Sequence, residues 1–178
     1  MQNEKMIELL EKLKRLVEAA MATFNAEESY LIANDLSERC VCARFAMHLQ
    51  RQVSESIEHC EYREYVVDVE YNRGAKGKDY EPKRLYDDNS PITVDLIVHK
   101  RGYSEGIREF GGSYFTGYDN LICIEMKKSK DKASMGADKR RLEIMTNNSM
   151  GFAYKLGVMI IIDKKSISLI IDEVFYNH

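Results

Sequence analysis

Apolar residues recur every three or four positions in the first third of the chain and every second position in several later segments, so helices come first and strands follow. Residues 2–22 set Met6, Leu10, Leu13, Val17 and Ala20 on one stripe, with Glu and Lys on the other face. This spacing predicts an amphipathic N-terminal helix. Its stripe either packs on the core of its own domain or pairs with a second copy in a homodimer. A second helix is expected after Asn34, Asp35 or Ser37, all good N-caps, and runs to about Gln52 with Val41, Phe45, Leu49 and Val53 inward. Glu38 falls on that apolar face. A carboxylate aimed at a core needs a cation or metal partner, although the first helical turn also favours acids through its dipole.

From Tyr62 to Tyr71 strict alternation predicts a strand, with Val67, Val69 and Tyr71 on one side and Val66, Asp68 and Glu70 on the other. A long polar loop, Asn72 to about Ser90, separates it from a strand at Thr93–Lys100. The next strand is Leu121–Lys127, and these two Val/Ile/Leu-rich segments are expected to be sheet neighbours. Between them, residues 102–120 are rich in glycine and aromatics and read as a hairpin excursion overhanging a site. A helix at 137–146 buries Leu142 and Met145, and strands at Leu156–Asp163 and Ile167–Val174 close the chain, the first of them central. No repeat or linker interrupts this order, which predicts a single α/β domain over 1–178.

Composition agrees with a globular chain: 44% of residues are hydrophobic and 31% charged. Charges in every turn of the first segment, and the lack of any long apolar run, exclude a secretory signal and a membrane span, so a cytoplasmic protein with no membrane partner is expected. Cys40, Cys42, Cys60 and Cys123 are then expected to be reduced and packed, and Cys40 and Cys42, two apart on a helix, cannot act as a C-x-x-C zinc knuckle. The formal net charge of −3 rules out nonspecific coating of nucleic acid by the whole surface. Contact with a phosphate backbone must be local. The stretch holding Lys127, Lys128, Lys130, Lys132, Lys139, Arg140 and Arg141 is where it is expected, although an exposed charged face explains the same residues.

Two strands carry charges that apolar burial does not explain. Alternation puts Asp95, Ile97 and His99 on one face of their strand, with Val94, Leu96 and Val98 on the other; on the next strand Leu121, Cys123, Glu125 and Lys127 share a face. Two acids and a lysine thus converge on adjacent strands. Aspartate in a Val/Ile-rich strand is unfavourable for propensity and for desolvation, so a common electrostatic purpose is implied. A divalent ion supplies one, because Mg²⁺ binds through one or two carboxylates plus water and phosphate oxygens. Lysine two residues beyond a ligating glutamate would then touch the attacking water or the phosphate. The competing explanation is a buried salt bridge, which is a poor stabiliser beside apolar residues.

Asp95 followed by Glu125-Met126-Lys127 resembles the D…E-x-K core of the PD-(D/E)XK nuclease superfamily. The segments SERCVCARFAMHL at 37–49, VDVEYNR at 67–73, VDLIVHKRG at 94–102, NLICIEMKKS at 120–129 and DKRRLEIMT at 138–146 look like successive blocks of small bacterial members. The resemblance implies a restriction-endonuclease-like mixed sheet flanked by helices and Mg²⁺-dependent hydrolysis of nucleic acid, DNA more than RNA, with Mn²⁺ substituting. It implies Asp95, Glu125 and the Met126 backbone carbonyl as metal ligands, Lys127 beside the nucleophile, and Glu38 as the helix glutamate many members present to the metal. The proline that often precedes the first acid is absent: Val94 stands there, and the nearest proline is Pro91.

Around this core, Glu70 is expected to face the site or to form a solvent-facing ion pair. His99 shares the Asp95 face but lies four residues, about 13 Å, along the strand, and suits support or packing better than ligation. Lys128, Lys139 and Arg141 are expected to contact phosphates, and Tyr103, Tyr114, Phe115 and Tyr118 to stack on bases or enter the core. The rival function is a non-catalytic nucleic-acid-binding or protein-interaction module on the same fold.

Overall fold

The computed structural model describes residues 2–56, 64–72, 82–84, 89–101, 105–107, 113–115, 120–147 and 152–177. Three helices lead: α1 (Gln2–Glu27), α2 (Ser29–Ala33) and α3 (Glu38–Glu55). There follow β1 (Tyr65–Val69), β2 (Leu96–Lys100), the short pair β3 (Glu105–Ile107) and β4 (Ser113–Phe115), then β5 (Asn120–Lys128), α4 (Met135–Thr146), β6 (Leu156–Asp163) and β7 (Ser168–Tyr176). Five strands form one mixed sheet in the order β1-β2-β5-β6-β7. Only β5 and β6 are parallel, and α4 is the crossover that joins them.

Helices cover both faces. On one, Leu13, Val17 and Phe24 of α1 and Phe45 and Leu49 of α3 pack over Leu96, Val98, Ile122, Ile124, Val158 and Ile160. On the other, Leu142 and Met145 of α4 cover Ile97, Cys123, Met159 and Ile161, with Tyr154 beside them. The N-terminal stripe thus serves its own domain from Leu13 onward, while Met6 and Ile7 remain exposed. Ser37 caps α3, its hydroxyl accepting the Cys40 amide. No helix among the described residues is long and apolar enough to cross a membrane.

The elements sit where periodicity places them, and the differences have local causes. Helix α1 continues five residues past Ala22, because Phe24 is fully buried and extends the stripe by a turn. The strand expected from Thr93 begins only at Leu96: the Asp95 carbonyl accepts from the Glu70 amide, and the residues before it depart from the ladder. Val94 therefore joins the core beneath α4 rather than the Leu96 face. Leu121 also changes face. The register shifts between Val98 and His99, whose partners are Ile122 and Asn120, and the extra residue Leu121 turns toward α1 and α3.

Gly157 on β6 marks a close approach. A Cβ there would lie 3.1 Å from Thr146 Cγ2 at the end of α4 and 3.2 Å from Phe175 Cβ on β7. The absence of a side chain lets α4 seat on the sheet and fixes where its first turn overhangs the ends of β5 and β6.

Candidate active site

In open α/β sheets ligands gather beyond the carboxyl ends of parallel strands. Here that place is the end of β5 and β6, between the N-termini of α3 and α4. Glu125, one strand position from Met126 in the core, is 2% exposed. Asp95, just before β2, lies close enough to hydrogen-bond to it, and Asp95 Oδ2 also accepts from the Met126 amide at 2.7 Å. Burial, and then the charge of Asp95, push the Glu125 carboxyl up to about 8. Burial likewise raises Asp95, against the hydrogen bonds from Met126 and Glu125. Two neighbouring carboxylates in one corner, one of them buried, resist ionising together.

Lys127 points to the same corner. Its Nζ lies 3.2 Å from Glu38 Oε1 and 3.3 Å from Asp138 Oδ2. Burial alone would lower this ammonium, but Glu38 and Asp138 outweigh it and hold the pKa above its usual value. Glu38 is doubly held, its Oε2 accepting from the Lys128 amide at 3.2 Å. The acid on the inner face of α3 is thus committed to the end of β5.

Two residues of α4 complete the cluster. Arg141 Nε donates to Glu125 Oε1 at 2.5 Å, and its other arm pairs with Asp138 Oδ1. Asp138 is 3% exposed; its Oδ2 has the Lys127 ammonium nearby but no well-formed hydrogen bond. Asp138 was missed as a site residue, though a signal existed: it occupies the buried stripe Met135, Asp138, Leu142, Met145, an acid among apolar residues like Glu38 and Asp95. Four carboxylates (Glu38, Asp95, Glu125, Asp138) meet two cations (Lys127, Arg141), leaving two negative charges when all are ionised.

The expected phosphate contacts are engaged with protein acids. Arg141 is half-buried in the cluster; Lys139 bridges Asp172 and Glu173 of β7 at 2.8 and 2.7 Å; Lys128 Nζ lies 2.7 Å from Asp35 Oδ1. Glu70 is exposed; its carboxylate pairs with Arg39 at 2.9 Å, while its amide donates to the Asp95 carbonyl beside the cluster. Tyr114 and Phe115 are on β4, while Tyr103 and Tyr118, like Cys60, lie outside the described residues. Cys40, Cys42 and Cys123 are free thiols, and burial pushes Cys123 well up.

A second polar group lies toward the other end of the β2–β5 pair. His99 Nε2 is 2.9 Å from Asp68 Oδ2, its ring 4.7 Å from that of Tyr71, and Arg101 clamps the same aspartate. Arg101, then His99, hold Asp68 below its usual range, while burial lowers His99 despite that aspartate. Lys83, 1% exposed, sends Nζ to the Tyr154 hydroxyl at 3.2 Å, and burial pushes its ammonium down to about 8.

Among the described residues no group of three or more His, Cys, Asp or Glu side chains is arranged to cage a metal ion. A magnesium site asks for less, since one or two carboxylates with water and substrate oxygens suffice. Asp95 and Glu125, hard oxygen donors side by side in a corner with excess negative charge, fit that requirement. Compared with protein-family models, with curated proteins and with solved structures, the chain matches none of them.

Proposed function

We propose that this chain is a divalent-metal-dependent nuclease of the PD-(D/E)XK type, its five-stranded sheet a restriction-endonuclease-like variant, hydrolysing nucleic-acid phosphodiesters and DNA in preference to RNA. One observation carries the reading: four carboxylates and two cations converge at the carboxyl end of β5, leaving an excess charge that one divalent cation neutralises. Mg²⁺, or Mn²⁺ in its place, would be held by Asp95 and Glu125, with the Met126 carbonyl and Glu38 as further oxygen donors. When bound, such an ion supplies Lewis acidity to the phosphodiester and lowers the pKa of the attacking water.

The chain's own groups do the rest. Asp95 is fixed beside Glu125 by the Met126 amide. Lys127 stays charged because Glu38 and Asp138 raise its pKa, so it orients the water and stabilises negative charge rather than acting as a base. Arg141 pairs with both Glu125 and Asp138, and its Glu125-bound Nε would be released toward a phosphate oxygen if Glu125 took another partner.

A second reading has its own support. Lys127 and Arg141 are already paired with Glu38, Asp138 and Glu125, and an ion-pair network of that kind also suits a module that binds without cutting. Labelled single- and double-stranded DNA incubated with purified protein and Mg²⁺ or Mn²⁺ separates the two. The nuclease degrades it and loses the ability as Lys127→Ala; equal degradation by the variant marks a contaminant, and no degradation with no calorimetric response to Mn²⁺ leaves the binding module.

A further inference from the structure

Next to the acidic cluster is a cavity of about 280 Å³ that the proposed chemistry does not use. Its floor is apolar: Ile32 of α2, Leu36 before α3 and Ile162 at the end of β6. Its rim is basic, with Lys128 and Lys130 on one side and Lys164 and Lys165 on the other, against the single acid Asp35. Lys128 and Lys130 both pair with Asp35, which they hold down at about 2. Lys164 and Lys165 sit in the exposed turn between β6 and β7, and among the described residues neither has an acidic partner: the nearby Asp163 is taken up by the Ser166 hydroxyl and by the amides of Lys165 and Ser166.

Placement links this cavity to the cluster. Lys127 and Lys128 are consecutive on β5, so one side chain enters the cluster and the other the cavity wall. Glu38 touches both, binding the Lys127 ammonium and the Lys128 amide. A strand of nucleic acid crossing the end of β5 would therefore reach both.

We infer that this cavity is a nucleotide subsite, its apolar floor taking a base and Lys164 and Lys165 the adjoining phosphate. The inference rests on the nuclease reading of the neighbouring cluster and names where the substrate strand continues. The volume lies at the small end of ligand pockets, suited to one ring system rather than a larger ligand. An apolar surface beside lysines suits a planar base attached to a phosphate, since stacking and ion pairing act on different parts of one unit.

Two assays on the full chain separate this subsite from the cluster. Hydrolysis of bis(p-nitrophenyl) phosphate with Mn²⁺ reads the cluster alone, and anisotropy of a short fluorescein-labelled single-stranded oligonucleotide in chelator reads binding. The double variant Lys164→Ala, Lys165→Ala, in an exposed turn, should keep its melting temperature and its bis(p-nitrophenyl) phosphate rate. It should bind the oligonucleotide about tenfold more weakly, with the salt dependence of log Kd shallower by about two. For the wild type, deoxyadenosine monophosphate should displace the probe at lower concentration than inorganic phosphate. Unchanged affinity in the double variant overturns the subsite whatever the catalytic result. Parity of the two competitors, or displacement by decanoate and not by the nucleotide, overturns the assignment of a base to the floor. Oligonucleotide binding that depends on both lysines, without phosphodiester hydrolysis, sinks the catalytic reading and leaves the cavity assigned.

Discussion

The two polar groups on the α4 side of the sheet are opposites in charge. Around Glu125 acids outnumber cations four to two, and burial, then the charge of Asp95, pushes its carboxyl up to about 8. Around His99 and Lys83 one acid, Asp68, stands among Arg101, a histidine and a buried lysine, and burial pushes that ammonium down to about 8. Both arise from burial. In the second group Arg101 and His99 settle Asp68, whose pKa is lowered, and aromatic rings pack on the remainder. In the first, the arrangement keeps an unfavourable excess of one sign in a place where ligands of α/β sheets bind. A fold rarely retains such an excess for stability alone, since apolar side chains of the same volume serve as well or better.

The sharpest way to break this contrast is by activity. Lys127→Ala is expected to lower metal-dependent DNA cleavage by about two to three orders of magnitude, the range for losing one group that stabilises transition-state charge. His99→Gln, a more deeply buried change in the other group, should leave the rate within a few-fold of wild type. Equal losses in both, measured on variants of unchanged melting temperature, would place the chemistry elsewhere.

Next in size is stability. Arg141→Ala leaves Glu125 and Asp138, both nearly inaccessible, without their guanidinium, and breaking a buried pair from one side costs about 3 kcal/mol or more. Denaturant unfolding in chelator should show that loss. If the acids hold a cation, millimolar Mn²⁺ restores much of it in the variant and adds less to the wild type. A loss that Mn²⁺ leaves untouched counts against the metal.

How much of this was legible beforehand depends on the range of each interaction. Glu38, Asp95, Glu125 and Lys127 stood out because each interrupts an apolar period, and a period is a local property. Asp138 interrupts one too. A helix begun at residue 137 leaves Met135 out of the stripe, and without it Asp138 stands only beside the charged Lys139, Arg140 and Arg141. Lys139 and Arg141 read as phosphate contacts for a related reason: a charge run carries no information about partners that lie 16 residues away, as Glu125 does from Arg141, or on β7, as Asp172 and Glu173 do. Leu121 and Val94 changed faces through one bulge and one late strand start, and register is set by pairing rather than by alternation.

The smallest effects separate the groups by the direction of their pH dependence. Glu125 is raised above its usual 4.5, so the stability it contributes is complete below that value and is lost as pH rises toward about 8. Lys83 is lowered from 10.5, so its contribution is present above that value and lost as pH falls through about 8. In chelator the melting temperature should therefore fall between pH 5 and 8 and recover part of the loss between pH 8 and 10.5, each kcal/mol moving it by roughly 2–4 °C. Glu125→Gln flattens the first limb and Lys83→Met the second; a variant that flattens the limb assigned to the other would break the contrast. Arg101→Ala should move neither limb by much and should cost less than about 1 kcal/mol, since its guanidinium is largely exposed and His99 keeps its hold on Asp68. A loss comparable to that of Arg141→Ala would mean that Asp68 depends on a single cation, and the two groups would then differ in their acids alone.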